Sequence, residues 1–152
     1  MSTTPTTADA ELILKLYDLR REAEIRKARN WWLGFWPESA DDILKIATAL
    51  GTQENAWLRQ VGGYWEMAAS FVLHGALNRD LFLEPSFSGE MFVFFGKIEP
   101  FLKEVREKLQ NPSIFGNAEK LILTSEGGPE RLRQTQQRLS TLRKAAQLAN
   151  AA

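Results

Sequence analysis

The sequence predicts an all-α fold, an irregular or orthogonal bundle of five to seven helices that forms one domain. Two observations support this fold class. Apolar residues recur at helical spacing along most of the chain, and the predicted helices differ in length and meet at abrupt corners near Pro37, Gly51, Gly75 and Pro112. Corners and unequal lengths of this kind fit a regular four-helix bundle poorly. The chain of 152 residues also has the usual size of a single domain.

The first predicted helix follows a short polar N-terminus. Residues 1–7 are rich in Ser, Thr and Pro, and we expect them to be disordered ahead of a single helical domain over residues 8–152. Thr6 and Asp9 resemble a capping box, which predicts a helix that runs from here to about Leu33. Its apolar residues fall on two seams, so the helix either bends in its middle or packs its second half against a different neighbour.

Three tryptophans cluster where this helix ends. Trp31, Trp32 and Trp36 could plug a corner of the core, because each buried aromatic ring removes on the order of 150–250 Å² from water. They could also form an exposed recognition surface or a membrane-interface anchor. Trp and Arg dominate the hot spots of protein interfaces. We therefore take these tryptophans, with Arg26 and Arg29 before them, as the candidate partner-binding residues.

The next two helices meet at a tight corner. Ser39 and Asp42 form a capping-box variant that starts a helix of about three turns, which Gly51 ends. Thr52 can cap the following helix at once. That helix, over residues 55–75, carries the strongest pattern in the sequence, one apolar stripe formed by Trp57, Val61, Tyr64, Trp65, Ala68, Phe71 and Val72.

A glycine pair, Gly62 and Gly63, interrupts this third helix. Each glycine costs about 1 kcal/mol relative to alanine inside a helix. We expect the close approach of another helix backbone to compensate for this cost. A hinge, or a ligand that lies against the backbone, is the alternative interpretation.

Polar residues on the same helix suggest a pocket beside the glycines. Glu66 and His74 share one helix face and could line a cavity with Tyr64. The candidate pocket is Gly62, Gly63, Tyr64, Glu66 and His74. Pairing of Glu66 with an arginine such as Arg106 is the structural alternative.

The second half of the chain predicts further helices of unequal length. One helical turn is predicted at residues 79–83. Ser88 can cap a helix from about Gly89 to the Asn-Pro pair that follows residue 110, and Pro100 should kink it. Residues 91–95 are rich in β-formers, so a short strand is the alternative there.

The last two predicted helices span residues 117–125 and 129–149. The final one carries a heptad seam formed by Leu132, Thr135, Leu139, Leu142, Ala146 and Ala149. Threonine and alanine in the seam favour packing against the parent bundle over a coiled-coil dimer. This helix is therefore the candidate peripheral or dimerising element.

Composition excludes several classes of protein. Without cysteine there is no disulfide, thiolate nucleophile or cysteine-ligated metal. The sequence contains no phosphate-binding loop, nucleophile elbow, zincin motif or calcium loop, and its single histidine cannot satisfy a helical di-iron site. We predict no metal and no cofactor. No apolar run approaches the ~20 residues of a spanning helix, and no secretory signal is visible, which predicts a cytoplasmic protein without a transmembrane segment.

The charge distribution disfavours nucleic-acid binding. The net charge is zero, although residues 130–152 carry five basic groups and one acidic group, and residues 30–129 carry eight basic and thirteen acidic groups. Dedicated nucleic-acid binders usually have a basic domain, whereas the pI of this chain is near 6.6. Charge complementarity within the fold explains the uneven distribution more simply.

Four short segments between residues 40 and 125 carry a family resemblance. They are Gly63-Tyr64-Trp65-Glu66, the run from Phe71 to Leu77, Leu81-Phe82, and the run from Phe101 to Arg106. With these segments the chain resembles a group of bacterial helical domains of unknown function. Some members look like phage-defence accessory proteins, and many carry an N-terminal membrane helix that this sequence lacks. The resemblance implies a helical fold and brings no catalytic residues.

The sequence favours a non-enzymatic protein-interaction or regulatory module that binds a protein partner or a second copy of itself. One alternative is a helical bundle that binds a small molecule, or an enzyme, with its site near Glu66 and His74. Another is nucleic-acid binding through the basic helices.

Overall fold

A computed structural model describes residues 4–152 of the protein. Eight α-helices account for most of this range, and no strand occurs within it. In chain order they are α1 (Thr7–Leu19), α2 (Ala23–Gly34), α3 (Ala40–Thr48), α4 (Gln53–Leu73), α5 (Arg79–Phe82), α6 (Pro85–Lys108), α7 (Gly116–Thr124) and α8 (Gly128–Ala151). The predicted all-α class is confirmed, and the helices share one core.

The predicted number of five to seven helices is too low, chiefly because the first predicted helix is two helices. The predicted capping box is present, since the side chain of Thr6 accepts from the Asp9 N–H and the Asp9 carboxylate accepts from the Thr6 N–H. A break then follows Leu19, because the carboxylate of Glu22 accepts from the N–H groups of Glu24 and Ile25 at 2.9 and 3.0 Å and starts α2 anew. With the one-turn helix α5 included, the number of helices is eight.

The predicted disorder of residues 1–7 concerns a segment of which residues 1–3 lie outside the described range. Thr7 is already the first residue of α1.

The corner between α3 and α4 forms as predicted. Ser39 caps α3 by accepting from the Asp42 N–H, and Thr52 caps α4 by accepting from the Asn55 N–H. Gly51 between them has φ = +89°, a left-handed conformation that favours glycine. The two helices therefore meet with almost no linker.

The long helix α4 is the centre of the fold. It packs most extensively against α2 and α7 and also contacts α3, α5 and α6. Five members of its predicted apolar stripe are buried, namely Val61, Tyr64, Trp65, Ala68 and Val72, whereas Trp57 and Phe71 are half-buried. Leu58 and Ala69, outside the predicted stripe, are buried as well.

The helix α6 begins earlier than predicted. Pro85 occupies its first turn, where a missing N–H costs nothing, and the Ser88 hydroxyl donates to the Glu84 carbonyl at 2.9 Å inside the helix instead of capping it. The predicted start at Gly89 is therefore wrong. Residues 91–95 are helical, and the strand alternative is wrong, because this buried run continues a helical pattern through Pro100 to Lys108.

The final helix α8 is packed along only half of its length. Leu132, Thr135 and Leu139 of the predicted seam are buried against α6 and α7, and the side chains of Leu132 and Leu139 approach Gly96 of α6. Leu142 and every residue from Lys144 to the C-terminus are exposed. Dimerisation through this exposed half stays a prediction.

Candidate functional site

The predicted partner-binding surface lies at the tryptophan corner, which we define as Trp31, Trp32 and Trp36. Trp32 is only 3% exposed, and its ring lies 4.9 Å from the ring of Phe94. Trp31 and Trp36 are half-buried, and Trp31 stacks on Phe35 with ring centroids 5.2 Å apart. The indoles are therefore mainly packed against the protein itself.

A buried lysine supports the tryptophan corner from α6. The ammonium of Lys97 donates to the carbonyl oxygens of Trp32, Leu33 and Phe35, at 2.7, 3.1 and 2.9 Å, and so caps the C-terminus of α2. It also lies 3.9 Å from the centre of the Trp36 ring, an attractive cation–π distance. Burial lowers the pKa of Lys97 to about 8. Nothing in the local sequence distinguishes this lysine from a surface one.

The arginines beside the corner differ in their surroundings. Arg26 is exposed. Arg29 forms a two-pronged ion pair with Glu90, with its Nη2 2.7 Å from Oε1 and its Nε 2.9 Å from Oε2. The buried Arg20 binds the same carboxylate at 2.9 Å, and its guanidinium lies 5.0 Å from the Tyr17 ring centre. These contacts join the end of α1 and the middle of α2 to Glu90 of α6.

The clearest opening near the predicted pocket is a cleft beside α4, which we call the α4 cleft. It lies between α3, α4, α6 and the loop that joins α6 to α7, and it has a cavity volume of about 350 Å³. Its lining is mostly apolar and is made by Ile43, Ala47, Asn55, Leu58, Arg59, Gly62, Gly63, Glu66, Val105, Leu109, Ile114 and Phe115.

The two glycines of α4 serve different purposes. A Cβ on Gly62 would lie 2.6 Å from Cε1 of Phe115, so this glycine makes room for that ring. A Cβ on Gly63 would meet nothing within 4 Å, and Gly63 borders the cleft. The predicted approach of another helix backbone is wrong, because an aromatic side chain from a loop makes the close contact, and makes it at one glycine alone.

Phe115 reaches Gly62 from a strained backbone. Its φ of +52° is left-handed, which costs a bulky residue roughly 1–2 kcal/mol. Its ring packs edge-on against Phe94 with centroids 5.0 Å apart. Arg106 holds the loop in place by donating from Nε and Nη2 to the Ile114 carbonyl at 3.0 and 2.8 Å. The surrounding contacts therefore maintain this conformation.

Glu66 has a different partner from the predicted one. Its carboxylate accepts from the N–H groups of Asn117 and Ala118, at 3.2 and 2.8 Å, and so caps the N-terminus of α7. Arg106 pairs instead with Glu119 at 3.0 Å. The positive end of the α7 dipole favours a carboxylate at this place, and pairing of Glu66 with Arg106 is therefore wrong.

The structure separates the remaining members of the predicted pocket. Gly62, Gly63 and Glu66 line the α4 cleft. Tyr64 points the other way, donates its hydroxyl to the Leu16 carbonyl and has its pKa raised by burial. His74 is exposed, and its ring nitrogen contacts the Ser70 carbonyl at the end of α4. His74 therefore does not join Glu66 in one site.

The sequence prediction missed a buried polar residue in the lining of the cleft. Asn55 is 1% exposed, and its amide donates to the carbonyls of Ile46 and Ala47 at 2.9 and 3.1 Å. Its own side-chain oxygen accepts from Nε of Arg59 at 3.0 Å. The spacing of four residues on one helix is the signal that could have revealed this pair.

Searches for a metal cluster and a membrane span give negative findings over the described range. Between residues 4 and 152 no three His, Asp or Glu side chains are grouped closely enough to hold a metal ion. Over the same residues, no helix combines the length and the apolarity that a membrane crossing needs.

Comparison with known proteins identifies a family. No curated protein and no solved structure matches the chain. The family model described as "Domain of unknown function (DUF4760)" matches residues 5–125. This range contains the segments between residues 40 and 125 that carry the resemblance, and it includes the whole α4 cleft, whereas α8 lies beyond it. The chain therefore belongs to the DUF4760 family of domains of unknown function.

Proposed function

We propose that the domain is a non-enzymatic binding module that holds a small apolar molecule in the α4 cleft. The cavity of about 350 Å³ carries this proposal, because sites for small molecules measure about 300–1,000 Å³ and are lined mainly by apolar side chains with a few polar groups. The polar groups here are Asn55, Arg59 and Glu66. If the domain is a regulatory module, binding of the small molecule in the cleft would be the signal to which it responds.

The glycine at the edge of the cleft supports this proposal. Gly63 lies in the middle of α4, where alanine would be more favourable by about 1 kcal/mol. A side chain there would meet no neighbour, so packing does not explain the glycine. Gly63 borders the cleft, so we expect a longer side chain at this position to take up part of the cavity.

Binding of a protein partner or of nucleic acid receives less support from the geometry. A protein partner at the tryptophan corner would contact the half-buried Trp31 and Trp36 and the exposed Arg26 and Leu33. Nucleic-acid binding would rely on basic residues such as Arg29, whose charge is already paired with Glu90. A second copy of the chain could use the exposed half of α8.

The test is an NMR titration of the full chain with 1-octanol as an apolar probe. We expect chemical-shift changes that saturate and concentrate on the amides of Gly63, Leu109 and Ile114. The substitution Gly63→Leu should abolish them, because its side chain would occupy the cavity without striking another atom near its Cβ.

A matched control separates filling of the cleft from a general effect of the substitution. Gly89 lies in α6, away from the cleft, and a Cβ there also meets nothing within 4 Å. Gly89→Leu should therefore bind 1-octanol as the wild type does. Saturable binding that survives Gly63→Leu, or no saturable binding to the wild type, would contradict the proposal.

A further inference from the structure

The polar side chains that line the α4 cleft differ in whether their hydrogen-bonding atoms are already paired within the protein. Glu66 is the one acidic residue of the lining, and both of its carboxylate oxygens accept from N–H groups at the start of α7. Asn55 has both ends of its side-chain amide bonded within the protein. Arg59 is therefore the polar residue of the lining that still has hydrogen-bond donors available for a ligand.

Arg59 is held in a defined orientation. Its Nε donates to Asn55 at 3.0 Å, and Asn55 is itself fixed by two carbonyls at the end of α3. The terminal nitrogens of Arg59, Nη1 and Nη2, make no hydrogen bond or ion pair with residues 4–152. A guanidinium that is anchored through Nε presents these two nitrogens side by side, which matches the two oxygens of a carboxylate.

The position of Arg59 combines this cation with an apolar cavity. Arg59 is exposed and borders the cleft, whose other walls include Leu58, Val105 and Leu109. A ligand can therefore place an apolar tail in the cavity and a charged head at the solvent boundary. This arrangement leaves the head partly hydrated, so binding does not require the burial of an ion.

We propose that the natural ligand of the α4 cleft is an amphipathic carboxylate, whose apolar tail fills the cavity and whose carboxylate pairs with Arg59. This inference rests on the proposed function and names the class of molecule that the same cleft takes. Asn55 is then a positioning residue, since it orients Arg59 and reaches the ligand through it. The cavity volume of about 350 Å³ lies near the lower limit for small-molecule sites, which favours a short or medium-length tail.

The test compares three probes that share one tail, octanoate, 1-octanol and octyl phosphate, by calorimetric titration at fixed salt. We expect the wild type to bind octanoate about tenfold more tightly than 1-octanol. Arg59→Gln should remove this preference, so that octanoate and 1-octanol bind with similar affinity. Arg138→Gln, which removes the same charge from the exposed face of α8, should keep the preference.

The outcomes separate the inference from the proposed function. If 1-octanol binds in the cleft as tightly as octanoate, and Arg59→Gln changes neither, the carboxylate assignment is overturned while the cleft still binds apolar molecules. If octyl phosphate binds more tightly than octanoate through Arg59, the head group is a phosphate. If no probe binds the wild type, both proposals fail.

Discussion

The tryptophan corner and the α4 cleft use apolar residues in opposite ways. The corner concentrates large rings in six positions, and its inner side is packed, because Trp32 is buried and Lys97 binds the end of α2 from α6. A more polar cavity of about 360 Å³ lies on its outer side, between Trp36, α6 and α8. The cleft lies along the most regular apolar helix of the chain, and Gly63 in its lining has no side chain. The two regions therefore differ in the kind of cavity that they border, which is more polar beside Trp36 and mostly apolar along α4.

This difference shows which sequence feature deserves weight in a search for a binding site. Aromatic residues are abundant in cores and at interfaces alike, so their number does not separate the two. A glycine inside a helix is unfavourable on its own. Gly63 and Gly89 both lack a close neighbour, and only Gly63 borders the α4 cleft.

The largest expected effect tests whether the corner is core. Trp32→Ala should lower the free energy of unfolding by about 3–5 kcal/mol, because it removes a buried ring that contacts Phe94. Chemical denaturation monitored by circular dichroism would measure this change. Leu33→Ala, one residue along α2, is the control. Its side chain is 49% exposed, so the loss should stay within about 0.5 kcal/mol. Equal losses would contradict the assignment of the corner to the core.

The next effect contrasts the two glycines directly. Gly62→Ala and Gly63→Ala gain the same helix propensity, about 1 kcal/mol, so their difference isolates the contact with Phe115. We expect Gly62→Ala to be less stable than Gly63→Ala by about 1–3 kcal/mol, the usual cost of overpacking. Thermal and denaturant unfolding of both variants would measure the difference. Equal stabilities would mean that the Phe115 ring does not hold its position over Gly62.

The smallest effect concerns the pH dependence that Lys97 gives to the corner. Burial lowers the pKa of Lys97 from 10.5 to about 8 in the folded protein. Between these values the unfolded chain holds a proton that the folded chain has released, so the free energy of unfolding rises with pH. The slope for one such proton is at most about 1.4 kcal/mol per pH unit. Lys97→Met, which does not titrate, should lack this contribution in denaturation curves from pH 7.5 to 10. Parallel profiles of the two proteins would contradict it.

Much of the helical layout could be predicted from the sequence, because local signals determine it. The capping residues Thr6, Ser39 and Thr52 and the apolar stripe of α4 all depend on neighbours within a few positions. The sequence indicated a bend in the middle of the first predicted helix but not a complete break, because Glu22 is an unusual capping residue. The start of α6 was predicted too late, at Gly89, although a proline such as Pro85 is well placed in a first helical turn.

The candidate site depended on contacts that no local pattern reveals. The partner of Gly62 is Phe115, which lies more than fifty positions away in the chain, and Glu66 caps α7 across a similar separation. Gly62, Gly63 and Glu66 were chosen because the building of a core left them unexplained, and they do line one cleft. His74 and Tyr64 were chosen by position on the helix, and tertiary packing directs them elsewhere.

The burial of Lys97 has a practical consequence for following the motions of this protein. Every other lysine in the chain is exposed, whereas Lys97 is 6% exposed. Amine-acylating reagents should therefore modify the other lysines quickly and Lys97 only after the corner opens. In a chain without cysteine, the rate at which Lys97 is acylated offers the measure of local opening that a buried thiol provides in other proteins.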